Sequence, residues 1–148
     1  MQSFYEGRGL NPVIDSNEKR SADVRRLASE ILARVDTRKA YADILLDHRL
    51  KDTAFSDRDR ALLTELAYGT LRWRGKIDAR INLCIRRSLE GTDPFVRNLL
   101  RVAFYQLLFL DKIPDYAAVN EAVQLAKAHG GDKVAGFVNA VLRGFLRE

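Results

Sequence analysis

Apolar residues recur at i, i+3, i+4 and i+7 along almost the whole chain, and no segment alternates apolar and polar residues with the period of two that a half-buried strand requires. Val24, Leu27, Ala28, Ile31, Leu32 and Val35 form one such stripe, with Ser21 in front of it as an N-cap. Tyr41, Ile44, Leu45 and His48 continue the pattern in a second helix, and Ser56 with Asp59 forms a capping-box variant ahead of Leu63, Leu66, Ala67 and Thr70. Gly69 and Gly75 mark a kink or break before Ile77, Ile81, Cys84, Ile85 and Leu89 resume the stripe. Gly91-Thr92-Asp93-Pro94 stops one helix and starts the next, Phe95 to Leu110, whose apolar second half marks it as the buried centre. Ile113-Pro114-Asp115 turns into a helix with a small-residue face. Gly130-Gly131 ends it, and Asp132 caps a last helix through Val134, Phe137, Val138, Val141, Leu142 and Phe145. The spacing predicts an all-α fold.

A chain of 148 residues, 47% hydrophobic and 30% charged, has material for a single core. Its longest apolar run, Val102 to Leu110, is interrupted by Gln106 and is far shorter than the roughly 20 residues of a membrane span. Residues 1–20 lack a period and read as a flexible N-terminal extension without the apolar core of a secretory signal. A lone cysteine, Cys84, fits a reducing, cytoplasmic setting. The last helix is still in register at Glu148, as expected of a domain cut from a longer chain.

Charge is distributed unevenly. Between Arg72 and Arg101 there are eight bases and three acids, so the whole net charge of +5 resides there. If residues 72–89 form one helix, Arg72, Lys76, Arg80 and Arg87 share a face turned away from Ile77, Ile81, Cys84 and Ile85. Arg74 belongs to the same basic segment, and Trp73 borders the ridge. An aromatic face beside cations stacks unpaired bases while holding phosphates. A solvated helix face with a partly buried tryptophan is the other reading, and composition alone leaves both open. A second cluster, Lys19, Arg20, Arg25 and Arg26, sits at a predicted helix start, where the dipole disfavours positive charge.

Catalytic and metal-binding signatures are missing. His48 and His129 have no partners at metal-ligand spacing, and no CxxC or HExxH occurs. Gly69 to Lys76 resembles a P-loop superficially but has one residue too many and no Ser or Thr after the lysine. Cys84 shares an isoleucine stripe and reads as a buried small hydrophobe, and His48 as a core-edge residue. Gln106 and Asn139 lie among apolar residues and are expected to bond across helices, with Asn120 or Glu121 as partners.

Five separated strings agree with one family: Asp59 to Trp73, Leu99 to Leu110, Ile113-Pro114, Asn120-Glu121-Ala-Val and Phe137 to Arg143. Together they resemble the NusB-like domain, in the version that precedes the catalytic domain of RsmB (Sun, Fmu) type small-subunit rRNA cytosine-5 methyltransferases. The likeness covers residues 21–148. It implies an all-helical bundle of about seven helices in two packed subbundles, binding ribosomal RNA without catalysing a reaction. It also implies a C-terminal methyltransferase domain as partner, with S-adenosylmethionine and the catalytic cysteines belonging to that domain and no cofactor to this chain. The stand-alone alternative is an antitermination factor binding boxA-like RNA with a ribosomal protein; a helical protein-interaction module is a third. NusB proteins have a basic, RNA-contacting start to the first helix, which Arg25 matches and Arg26 adjoins. With Arg72, Trp73, Arg74, Lys76 and Arg80 these form the expected RNA-binding set.

Overall fold

A computed structural model of the chain describes residues 12–51 and 54–148, with side-chain surroundings from residue 23 onward except 52–53. Six α-helices follow in order: α1 Pro12–Arg38, α2 Ala42–Leu50, α3 Asp57–Arg72, α4 Arg74–Asn82, α5 Pro94–Phe109 and α6 Asp115–Arg147, with a 3-10 turn at Leu89–Gly91 before α5. Among the described residues there is no strand. The all-α reading therefore holds.

Helix ends fall where short-range chemistry puts them. Ser56 Oγ accepts from Asp59 N at 3.1 Å, and Asp93 accepts from the N–H groups of Phe95 and Val96 with Pro94 in the first turn of α5. α6 is broken at Gly131, whose φ of 83° and ψ of −169° no side-chain-bearing residue adopts readily. The expected stop at Gly130-Gly131 is thus a kink between two helical segments.

Three expectations need correction. α1 begins at Pro12, so Ser21 lies inside the helix and does not cap it. Pro12 suits a first helical turn, but the residues after it lack an apolar period and so carry no helical signal. Of the extension expected over residues 1–20, residues 1–11 lie outside the described ones. In α2 the buried residue is Leu46, while Tyr41 and Ile44 are 74% and 66% exposed and His48 is also exposed. The assumed phase is therefore wrong for this helix. Residues 72–89 are not one helix: the chain bends at Trp73 and leaves helical geometry after Asn82, so that Leu89 is buried.

α5 is the centre, as predicted, buried from Val96 to Gln106. It packs on α1, α3, α4 and α6, while α2 rests on α1 and α3. One continuous apolar core joins the helices and includes Leu27, Ile31, Leu63, Leu66, Leu100, Phe104, Val138 and Leu142. The core also holds charge. Arg101, 2% exposed, grips Asp78 through two bonds of 2.7 and 3.0 Å and reaches Asp36 at 3.0 Å. Asp36 further accepts from Arg97 (2.9 Å), Asn98 (3.2 Å) and Arg74 (3.2 Å). Buried arginines require such partners.

Candidate functional site

Trp73 is the joint between α3 and α4. Its backbone N–H donates to the Gly69 carbonyl at 3.1 Å and its own carbonyl accepts from Ile77 N at 2.9 Å, so main-chain bonds tie this residue to both helices. The ring stacks on Phe109 of α5, with centroids 5.0 Å apart and 26° between planes, and Phe109 packs on Tyr105 at 5.3 Å. Gly69 permits this approach, because a Cβ at that position would overlap the Tyr105 ring. The Tyr105 hydroxyl donates to Glu65 at 2.6 Å. Burial first, then that bond and the Glu65 charge, push the phenol up to about 12. At the end of this ladder Trp73 remains 41% exposed.

One cation lies against the indole. Arg72 and Lys76 are exposed, and the Lys76 ammonium lies 5.9 Å from the Trp73 centroid and 5.8 Å from that of Phe109. Farther along, Arg80 sits over Phe145 at 4.8 Å and Arg87 over Phe137 at 4.7 Å, contacts that hold both guanidinium groups against the surface of α6. Arg72, Trp73, Lys76 and Arg80 are thus brought together, although Arg87 reaches the stripe from a loop and not from the predicted helix. Phe109, Phe137 and Phe145, the rings that organise these groups, come from α5 and α6 and share no short-range pattern with them.

The remaining predicted site residues, Arg25, Arg26 and Arg74, each pair with acids of the fold. Arg74 is half-buried and pairs with Asp36 at 3.2 Å and Asp78 at 3.8 Å. With Arg97 and Arg101 it belongs to the internal network, so three of the eight bases between Arg72 and Arg101 pair with acids inside the fold. Arg25 is 6% exposed; its Nε donates to Gln106 Oε1 at 2.8 Å and its Nη1 pairs with Glu121 at 2.9 Å. Burial lowers its pKa, and the Glu121 charge opposes this. Arg25 ties α1 to α5 and α6; the interhelical bond expected of Gln106 is thus made with Arg25, not with the expected Asn120 or Glu121. Arg26 is half-exposed, pairs with Asp23 and Glu30, and lines an open groove of about 500 Å³ with Arg34, Phe95 and His129.

Asn139 makes no interhelical bond of the expected kind; its Oδ1 accepts from Arg143 one turn on. Cys84 is partly buried, and burial together with the Glu148 charge pushes its thiol up against the opposing pull of Arg80. A thiol so placed is a poor nucleophile. Among the described residues no group of three or more His, Cys, Asp or Glu could hold a metal, and no helix is long and apolar enough to cross a membrane.

A model of the NusB family matches residues 22–147. The probable ribosomal RNA small subunit methyltransferase B of Bacillus subtilis is 41% identical over 129 residues, which cover 87% of this chain and 29% of that protein. The ribosomal RNA small subunit methyltransferase B of Escherichia coli is 34% identical over 131 residues, 88% of this chain and 30% of that protein. The chain therefore spans less than a third of the curated relatives it matches. Among solved structures, T. maritima NusB aligns with a TM-score of 0.79 at 26% identity, covering 86% of this chain and 90% of that one. A chain of the complex of antitermination factors NusB and NusE with dsRNA aligns with a TM-score of 0.77 at 23% identity, covering 87% and 97%, a likeness of fold.

Proposed function

This chain belongs to the NusB family, and from that premise we propose that residues 21–148 form the noncatalytic RNA-binding domain of a cytoplasmic, S-adenosylmethionine-dependent rRNA cytosine-5 methyltransferase. The domain docks ribosomal RNA for a catalytic domain that lies outside these 148 residues and binds the cofactor. The observation that carries the reading is the exposed set of Arg72, Trp73 and Lys76 with Arg80 beside it, in a molecule whose Arg25, Arg74, Arg97 and Arg101 are occupied by internal acids. Cations that are not consumed by the fold, clustered at an aromatic ring, suit a phosphate backbone with accessible bases. The identities of 41% and 34% to methyltransferases, against 26% and 23% to NusB structures, support the methyltransferase context over the antitermination one.

Fluorescence anisotropy with a labelled small-subunit rRNA hairpin, at two salt concentrations and with a boxA-like strand and duplex DNA as competitors, tests this. Salt-sensitive binding that prefers the hairpin is expected. Preference for the boxA-like strand would favour an antitermination role, and absence of binding at low salt would assign the basic face to a protein contact, including one with the catalytic domain.

A further inference from the structure

The Trp73 indole stacks on one ring of the fold and the residue is still 41% exposed. Phe109 occupies one face at 5.0 Å, and the Lys76 ammonium is almost equidistant from the two rings, 5.9 and 5.8 Å. A group sitting on the outer face of the indole would lie much farther from Phe109 than from Trp73. Lys76 is therefore at the edge of the stacked pair, and the outer face is left to solvent, in keeping with 41% exposure. Backbone bonds to both α3 and α4 set the Trp73 main chain, and the inner face of the ring rests on the Phe109–Tyr105 ladder. A large π surface held rigid and open costs apolar exposure that a purely structural tryptophan would avoid.

We infer that the outer face of Trp73 is a stacking subsite for one unpaired nucleobase, with Arg72 and Lys76 at its rim to hold the adjoining phosphates. The inference rests on the RNA-binding reading and sharpens it: the RNA must present a bulged, looped or terminal base at this point, since a base within a continuous duplex has both faces taken. One open face accepts one base, so the subsite extends the protein's own aromatic stack and does not clamp a base between two rings. Stacking of this kind tolerates any base, so it reports an unpaired position and not its sequence.

Trp73 is the chain's one tryptophan, which makes its emission a direct probe. The experiment titrates the protein with three RNA hairpins of one sequence: one carrying a single bulged nucleotide, one with that bulge abasic, and one fully paired. It follows Trp73 fluorescence, and anisotropy of a label on the RNA. The bulged hairpin is expected to quench the emission by more than half, while the abasic and paired hairpins bind with little quenching. Trp73→Leu, checked for folding by circular dichroism, is expected to lower affinity for the bulged hairpin by about 5- to 150-fold, and Trp73→Phe to restore much of it. Binding of all three hairpins with equal affinity and no quenching would overturn the subsite and leave the RNA-binding reading standing. No change in anisotropy with any of them would overturn both.

Discussion

Replacing Asp36 by asparagine removes a negative charge from the point where Arg74, Arg97 and Arg101 converge. The side chain is 12% exposed, and its oxygens lie 2.9 to 3.2 Å from donors on three arginines and Asn98. Asparagine keeps the shape but turns one acceptor into a donor facing guanidinium groups. Breaking one partner of a buried pair costs about 3–5 kcal/mol. At about 2–4 °C per kcal/mol for a domain near this size, the melting temperature should fall by about 6–20 °C, measured by far-ultraviolet circular dichroism at neutral pH. Acid titration gives a second reading. Burial alone would raise the Asp36 pKa, but the bonds from Asn98 and Arg97 and the charges of Arg101 and Arg97 outweigh it and hold it below the ordinary value of 3.8. A carboxyl with a depressed folded pKa contributes stability above its unfolded pKa of about 3.9 and loses it as pH falls through the lower folded value. The wild type should therefore lose this contribution below about pH 4, and the asparagine variant should lack that part of the acid limb. A melting temperature within about 3 °C of wild type, with the same acid limb, would refute the hub.

Gly69→Ala should destabilise by about 1–3 kcal/mol in urea unfolding, because the added methyl meets the Tyr105 ring at the α3–α5 contact. Arg25→Ala should lower stability by about 3–5 kcal/mol while leaving the RNA affinity of the folded fraction within about twofold of wild type, since the side chain is committed to Gln106 and Glu121; a large affinity loss without destabilisation would return Arg25 to the interface. Tyr105, with a folded pKa of about 12 above its unfolded value, should contribute stability below about pH 10 that is lost as pH rises toward 12. Tyr105→Phe should remove that alkaline loss, read by urea unfolding across the range.

Local signals in the sequence translated directly into structure. Ser56 and Asp93-Pro94 start their helices through bonds to the next few residues, and Gly131 breaks α6 through its own backbone freedom. The centrality of α5 was legible because a helix apolar on most sides has no solvent face to offer. What failed depends on distant partners. Nothing near Arg101 or Arg97 in sequence reveals Asp36, 65 and 61 positions away, and a charge count does not show which bases face inward. The phase of α2 was misread because its stripe was fitted to Tyr41 and Ile44, whereas contact with α1 and α3 selects Leu46. At the candidate site, the spacing of Arg72, Lys76 and Arg80 placed three cations together even though a bend at Trp73 interrupts the helix. Phe109, which fixes the indole, comes from a helix 36 residues later and left no mark on that spacing.

The face formed by α3 and α4 stands or falls on its phosphate contacts. The decisive measurement is the salt dependence of single-stranded RNA affinity for the wild type and for Arg72→Glu/Lys76→Glu, with folding verified by circular dichroism. If Arg72, Lys76 and Arg80 hold about three phosphates, the wild-type log–log slope should lie near −2, and that of the variant near −0.7 with markedly weaker binding at low salt. Unchanged affinity and slope in the variant would contradict the account and remove this face from RNA recognition.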